Sequence, residues 1–403
     1  MDQKTFLCVS CYYKGAAFLK AIKADGHKVF LVTSASLKGE KWPWESIDDI
    51  FYMEEDDEGL WKNADLISAL AYLMRSNKID RVIALDDFDV ERAALIREEF
   101  RIAGMGQTTA RYFRDKLAMR IQAREGGIPV PPFCALFNDK EIQAFAAEIS
   151  APWVVKPRSE ASATGIKKVS SVEELWEVIN QLGEKRYHYL VEQFLPGDVY
   201  HVDALSYQDQ NIFLRSSRYL NTPFEVAHAG GIFRTMTLPE TDSDHALLAQ
   251  LNQKLMGTFG MRHGASHSEY IKSLETNTFY FLETSSRVGG AHIAEMIEAA
   301  SGINLWAEWA HMETALLRNE AYHLPEPNHM LAAAIISLSR FQHPDDQVFN
   351  DKEIWWRINK QYHIGFILQS HDQDRLLNLL EDYGNLIARD FHAALEAPAR
   401  SSH

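Results

Sequence analysis

An α/β domain followed by α+β lobes is the fold class that this sequence predicts, and three observations predict it. The first hundred or so residues alternate short apolar runs with amphipathic segments. The middle of the chain is rich in strand-like runs and poor in helical ones. The length, 403 residues, exceeds what one simple core holds and implies two or three packed lobes.

The elements follow in chain order. "TFLCVS" and "KVFLVTS" are short apolar strands, and between them "GAAFLKAIKADGH" has helical spacing and a Gly-bearing stop. "ADLISALAYLMRSNKI" is a second amphipathic helix leading to the strand "RVIALDD". Strand, helix, strand in that order predicts a doubly wound parallel sheet. Ligands gather at the carboxyl ends of such strands, so Asp86 and Asp87 either face a cleft or cap the helix "DVERAALIREEF". "MGQTTARYFRDKLAMRIQAREGGIPVPPF" predicts a helix stopped by Gly126-Gly127 and a Pro-rich turn. The strand "PWVVK", the helix "VEELWEVINQL" and the strands "YHYLVEQFLPG" and "VYHVDALSYQ" come next. After a helical stretch over 291–318 the chain returns to short strands and one last helix near 373–398. The expected division is 1–110, 111–196, 197–325 and a C-terminal subdomain, 326–403, that completes the larger lobe.

Composition narrows the function. Hydrophobic residues make up 46% and charged ones 24%, ordinary values for a globular enzyme or binding protein. A net charge of −15 repels phosphate backbones and argues against nucleic acid as a partner. Cys8, Cys11 and Cys134 are an odd, sparse set that fits a reducing compartment, and the Cys8–Cys11 pair lacks the second pair a zinc site needs. No signal-peptide pattern or membrane-length apolar run is present, so a cytoplasmic location without membrane partners is expected.

The chemistry concentrates in "GASHSEYIKSLETNTFYFLETSSRVGGAH". Two strand-like runs flank the polar stretch "KSLETNT", which reads as a hairpin. With the loop centred near Thr276, Glu269 and Glu283 come opposite each other. Alternation then puts His267 and Glu269 on one face, with Phe281, Glu283 and Ser285 on the matching face. Facing carboxylates repel, so a cation is expected between them, and Mg²⁺ takes one or two carboxylates plus phosphate oxygens. In the other register both glutamates point to solvent. Arg287, one alternate position further, adds a cation to the same face. Gly289 and Gly290 remove side chains where a backbone must approach a ligand. The pattern describes a site for a metal-bound polyphosphate.

Cations from a second lobe are also on offer. Lys156 ends the strand "PWVVK", and the small residues of "SEASATG", Ser162 among them, offer backbone N–H groups to a phosphate. The Walker A order is absent. Lys116 lies in the charged helix "FRDKLAMR". The apolar strand around Glu192 leads through Gln193, Phe194 and Leu195 into a Pro-Gly turn, which suits an adenine ring or a half-exposed surface strand. "NTPFEVAHAGGIFRTMTLP" looks like a loop over the cleft. Arg218 and Arg234 could pair a substrate carboxylate, and His228, His267 and His292 could position an amine; each has a purely structural alternative.

Taken in order, "RDK", "VVKP", the small-residue loop, "VEQFLPGDVYHVDAL", "SHSEY" and "FLETSSRVGG" resemble the ATP-grasp superfamily over roughly residues 80–320. Within it, the chain is most similar to the carboxylate–amine ligases of the L-amino-acid ligase type. The resemblance implies a pre-ATP-grasp Rossmann-like domain, then the two ATP-grasp lobes. It implies that Lys116 and Lys156 hold the α- and β-phosphates of ATP and that Glu192–Leu195 meet adenine. It further implies that Glu269, Glu283 and Ser285 bind two Mg²⁺ ions, replaceable by Mn²⁺, and that Arg287 steadies the transferring phosphoryl group. Ser285 stands where the family usually has asparagine, and Val199 where it often has a ribose-binding glutamate, a role left to Asp198 or Asp203. The implied partners are a small carboxylate and an amine; members of the family often form homodimers, and the sequence itself leaves the assembly open. Two rivals remain: a biotin-carboxylase-like enzyme, against which "VGGAH" replaces that family's "QVEH", and a nucleotide-binding protein without turnover.

Overall fold

The computed structural model describes residues 3–57, 59–160, 165–222 and 230–394. Strands β1 (Thr5–Ser10), β2 (Lys28–Ser34), β3 (Asp49–Met53) and β4 (Arg81–Ala84) form a parallel sheet in the order β3-β2-β1-β4. Along β1, Phe6 and Cys8 enter one core while Leu7 and Val9 enter another. Both faces are therefore covered, as a doubly wound sheet requires. Edge strand β3 adds to the sequence expectation; three of its five residues are only half-buried, so its alternation signal is weak. Asp86 settles one open alternative, since its carboxylate accepts the Phe88 N–H and caps the turn that starts the next helix.

The long helix expected over "MGQTTARYFRDKLAMR" is two helices, Gln107–Arg111 and Lys116–Glu125. Asp115 makes the break: its carboxylate accepts the N–H groups of Leu117 (3.0 Å) and Ala118 (3.4 Å) and starts a new helix. That cap places Lys116 at the first helical position, facing the middle of the molecule.

A small antiparallel sheet follows, built from β5 (Phe133–Ala135), β6 (Trp153–Pro157), β7 (Lys167–Val169) and β8 (Tyr189–Gln193) in the order β5-β8-β6-β7. Trp153, Val155 and Val191 pack from it onto Ile142, Leu175 and Ile179 of the two helices behind. The large sheet contains β9 (Gly197–Tyr207), β10 (Gln210–Tyr219), β11 (Phe233–Thr237), β12 (Gly264–Ser273), β13 (Phe279–Ser285), β14 (Leu331–Leu338), β15 (Ile354–Arg357) and β16 (His363–Ser370). Its order is β13-β12-β9-β10-β11-β14-β16-β15, so the segment after residue 326 extends the same sheet.

One face of this sheet buries Val202, Tyr270 and Phe281 on the helix Ser243–Phe259, and Met236 and Ile335 on the helix Gln373–Asp390. The other face buries Leu205, Ala265 and Ala334 on the helices Ile293–Ser301 and Leu305–Arg318. Phe18 of the N-terminal domain meets Trp309 edge-on at 5.1 Å, joining that domain to the same core.

The expected hairpin is β12–β13, and Glu269 pairs with Glu283 across it. A bulge leaves Leu282 without a partner, because Tyr270 pairs with Phe281. Phe281 consequently lies on the helix-covered face against Phe259 (5.6 Å), which corrects the expectation that it shares a face with Glu283. Among the described residues no helix is long and apolar enough to cross a membrane.

Candidate active site

The two facing glutamates each carry a cation of their own. Lys116 Nζ lies 2.8 Å from Glu283 Oε2 and also donates to the Glu160 carbonyl at 2.6 Å. Burial pushes the Glu283 carboxyl up, but Lys116, helped by Lys156, holds it below its ordinary value. Glu269 Oε1 accepts the Tyr219 hydroxyl at 2.8 Å and sits 3.7 Å from His267 Nε2. The premise that an ion alone must offset their repulsion is corrected: Lys116 and His267 already do so.

Lys156 and Glu192 project from one face of the small sheet. Glu192, almost fully buried, pairs with Lys156 through Oε1 and accepts Arg120 Nε at 2.9 Å through Oε2. Burial pulls the Lys156 ammonium down to about 8, with Glu192 opposing and Arg120 adding to the shift. Arg120 also donates to the carbonyl of the bulged Leu282, tying the small sheet to the carboxylate hairpin. Along the strand exit, the N–H groups of Gln193 and Phe194 bond to the carbonyls of Pro132 (2.8 Å) and Pro152 (3.0 Å). The Phe194 ring lies under Lys168 Nζ at 3.7 Å. Leu195 packs with Val199, Tyr219, Ile271, Tyr280 and Leu282, an apolar patch reaching Glu269 through Tyr219.

A third group joins the N-terminal domain to the hairpin. Asp87 takes Arg287 in a two-pronged pair, Nε to Oδ2 at 2.8 Å plus Nη2, and accepts the Ser285 hydroxyl on Oδ1. Burial opposes the Asp87 charge, but Arg287 and then Arg114 hold its carboxyl far below the usual range. Arg287 spends its remaining nitrogen on the Val288 carbonyl at 2.8 Å. Ser285, expected at the metal, thus has its hydroxyl directed to Asp87.

Beside Glu269 lies a buried chain of polar groups. His201 joins Thr235 Oγ1 to Asp203 Oδ2, both at 2.7 Å, and Asp203 Oδ1 meets His267 Nδ1 at 2.8 Å. Burial opposes the charge on His267, but Asp203 and Glu269 outweigh it and push the imidazole up to about 10. Asp203, fully buried between two histidines, has no oxygen turned to a ribose. Gly289 is glycine because of this pair: a Cβ there would stand 2.7 Å from Asp203 Oδ1 and 3.1 Å from His267 Nδ1. Gly290 has nothing within 4 Å of such an atom, so the close-approach argument holds for Gly289 toward protein groups only.

Other candidates lie elsewhere. Arg218 pairs in register with Tyr200 and Met236, and Arg234 with Ile335, so both project from the face opposite Glu269. Arg234 donates to Asn221 Oδ1 (2.6 and 3.1 Å) and lies against Gly384 of the last long helix. Asp198 shares that far face, 4.0 Å from Arg218. His292, with φ 58°, pairs with Glu295 at 3.3 Å and stacks on Trp356 at 4.6 Å. Ser162, most of the loop 159–165 and His228 lie outside the described residues.

Known proteins similar to this chain in sequence and in fold include ligases. Residues 123–224 match the family described as D-ala D-ala ligase C-terminus. The chain is 25% identical to the L-arginine-specific L-amino acid ligase of Bacillus subtilis over 246 residues, which are 59% of each protein's length. It is 34% identical to the D-alanine–D-alanine ligase of Ralstonia pickettii over 103 residues, 25% of this chain and 31% of that one. The solved L-amino acid ligase of Bacillus licheniformis superposes with a TM-score of 0.71 at 17% identity, covering 97% of this chain and 99% of that one. The fold is ATP-grasp. The small sheet carries Lys156 and Glu192, and the large sheet carries the glutamate pair.

Sequence reasoning passed over Arg120, His201, Tyr219 and Thr235. Two of these had a signal. Arg120 stands four residues after Lys116 on one helix, and His201 two before Asp203 on one strand, so each shares a face with a residue already singled out.

Proposed function

We propose that this ATP-grasp chain is an ADP-forming carboxylate–amine ligase that joins amino acids or similar small substrates through an amide bond. One observation carries the reading: Glu269 and Glu283 lie in register on the cleft face, with Lys116 on one and Lys156 nearby.

The donor set fits Mg²⁺, because paired carboxylate oxygens on adjacent strands are hard ligands that leave room for phosphate oxygens. In this proposal Glu269 and Glu283 hold two Mg²⁺ ions, or Mn²⁺, which when bound neutralise phosphate charge. Lys116 and Lys156 take the inner phosphates. The apolar patch of Leu195, Val199, Ile271 and Leu282 suits a flat aromatic base. A substrate carboxylate oxygen attacks the γ-phosphorus, the bond to ADP breaks, and an acyl phosphate forms. The neutral amine then attacks the acyl carbon, phosphate leaves with the bonding pair, and the amine releases its proton. In this proposal the charge of Arg287, whose Nε and Nη2 are held by Asp87, steadies the transferring group, where charge must be met without reorganisation. The cysteines are free, which supports a reducing, cytoplasmic setting.

The test is a phosphate-release screen over amino acids, singly and in pairs, with ATP and Mg²⁺, followed by hydroxylamine trapping of the activated acid. Release that needs two amino acids and a trapped hydroxamate are expected. Turnover confined to bicarbonate plus biotin, or nucleotide binding without release for any pair, would overturn the reading.

A further inference from the structure

The chain Thr235–His201–Asp203–His267 ends on Glu269 and plays no part in the mechanism above. Its members come from β12, β9 and β11 of the large sheet, with β10 between the last two, and project from one face. Asp203 pairs in register with His267, and Glu269 with His201. Asp203 and His201 are fully enclosed, and both Asp203 oxygens are taken by imidazole nitrogens. Through these two contacts the Asp203 carboxylate orients both rings.

His267 is the ring with an exit. Its Nδ1 is committed to Asp203, so its Nε2 is fixed in direction toward Glu269. The Tyr219 hydroxyl reaches the same Oε1 from the other side, and Tyr219 itself stacks on His201 at 4.7 Å. Both contacts fall on Oε1, so the carboxylate of Glu269 is held from two sides through one oxygen. The backbone at Gly289, just past Arg287, lies directly against Asp203 and His267 and closes the group from above.

We propose that Asp203 and His267 are positioning residues for Glu269: they fix its carboxylate so that the divalent ion meets a preset pair. This rests on the metal reading of Glu269 and Glu283. Outer groups that orient a metal ligand typically change metal affinity by about 10–100-fold when removed.

The test measures metal binding without turnover. Mn²⁺ is titrated into the full chain with a non-hydrolysable ATP analogue, and free Mn²⁺ is followed by electron paramagnetic resonance. For His267→Gln the expected result is Mn²⁺ binding weakened about tenfold, with metal-free affinity for the analogue unchanged. Asp203→Asn should weaken it comparably, and the double variant no further, because the two act as one unit. If Asp203→Asn does not fold, His267→Gln and Tyr219→Phe decide the matter. Glu269→Gln separates the two readings. If it leaves Mn²⁺ binding intact, the metal site itself is wrong. If it abolishes binding while His267→Gln and Asp203→Asn bind Mn²⁺ like the parent, only the positioning proposal falls. Equal losses in metal-free and metal-dependent binding would mark a merely structural role and overturn it too.

Discussion

Asp87 of the N-terminal domain holds Arg287 at the end of the carboxylate hairpin, 200 residues away in the chain, by a two-pronged ion pair that also takes Ser285. The N-terminal domain therefore sets the position of the Arg287 guanidinium. Asp87→Ala leaves a buried guanidinium without its counter-charge and is expected to cost about 3–5 kcal/mol. The urea midpoint should fall with an unchanged slope. Asp87→Asn, which keeps one acceptor, should fold and still lose phosphate release, with affinity for the ATP analogue retained.

Lys156 gives a pH dependence with a definite sign. Below about 8 its ammonium is charged, and above that it is neutral, because burial favours the uncharged form. Phosphates bind the charged form. Affinity for ADP should hold steady from pH 6 to 7.5 and then fall toward tenfold per pH unit above 8. Calorimetry in buffers of different ionisation enthalpy would detect the proton taken up. Lys156→Met should flatten the profile.

Gly289 and Gly290 are adjacent and should behave oppositely. A methyl at Gly289 collides with Asp203 and His267, an overpacking expected to cost about 1–3 kcal/mol. A methyl at Gly290 meets nothing within 4 Å, and Gly290→Ala should stay within about 0.5 kcal/mol of the parent. Paired denaturation curves check this.

Arg234→Gln should leave phosphate release unchanged, since the side chain faces Asn221 and the last long helix rather than the cleft. A rise in the Michaelis constant for either substrate would contradict that placement.

The carboxylate pair was legible for a reason that alternation alone does not contain. Near the turn, Ile271 pairs with Tyr280 and Lys272 with Phe279, a register one residue short of Glu269–Glu283. The unpaired Leu282 supplies the difference. Counting from Thr276 gave the right pair but put Phe281 on the wrong face. The parallel sheet was readable because its strands are buried runs with marked helices between them. The partners of each site residue were not. Lys116 meets Glu283, and Asp87 meets Arg287, through domain packing that no local pattern encodes. Arg218 and Arg234 mark the same limit: which face they occupy depends on pairing with β9 and β14, far away in sequence.

The lone unpaired residue at Leu282 also separates two parts of the hairpin with respect to insertions and deletions. Lengthening the turn at 274–278 changes only surface chain, so natural variants can drift in size there without touching the chemistry. Losing one residue between Tyr280 and Leu282 would erase the bulge and still leave Glu283 opposite Glu269, because the turn-side register then runs straight through. Losing Thr284 would instead turn Ser285 and Arg287 together onto the far side of the sheet.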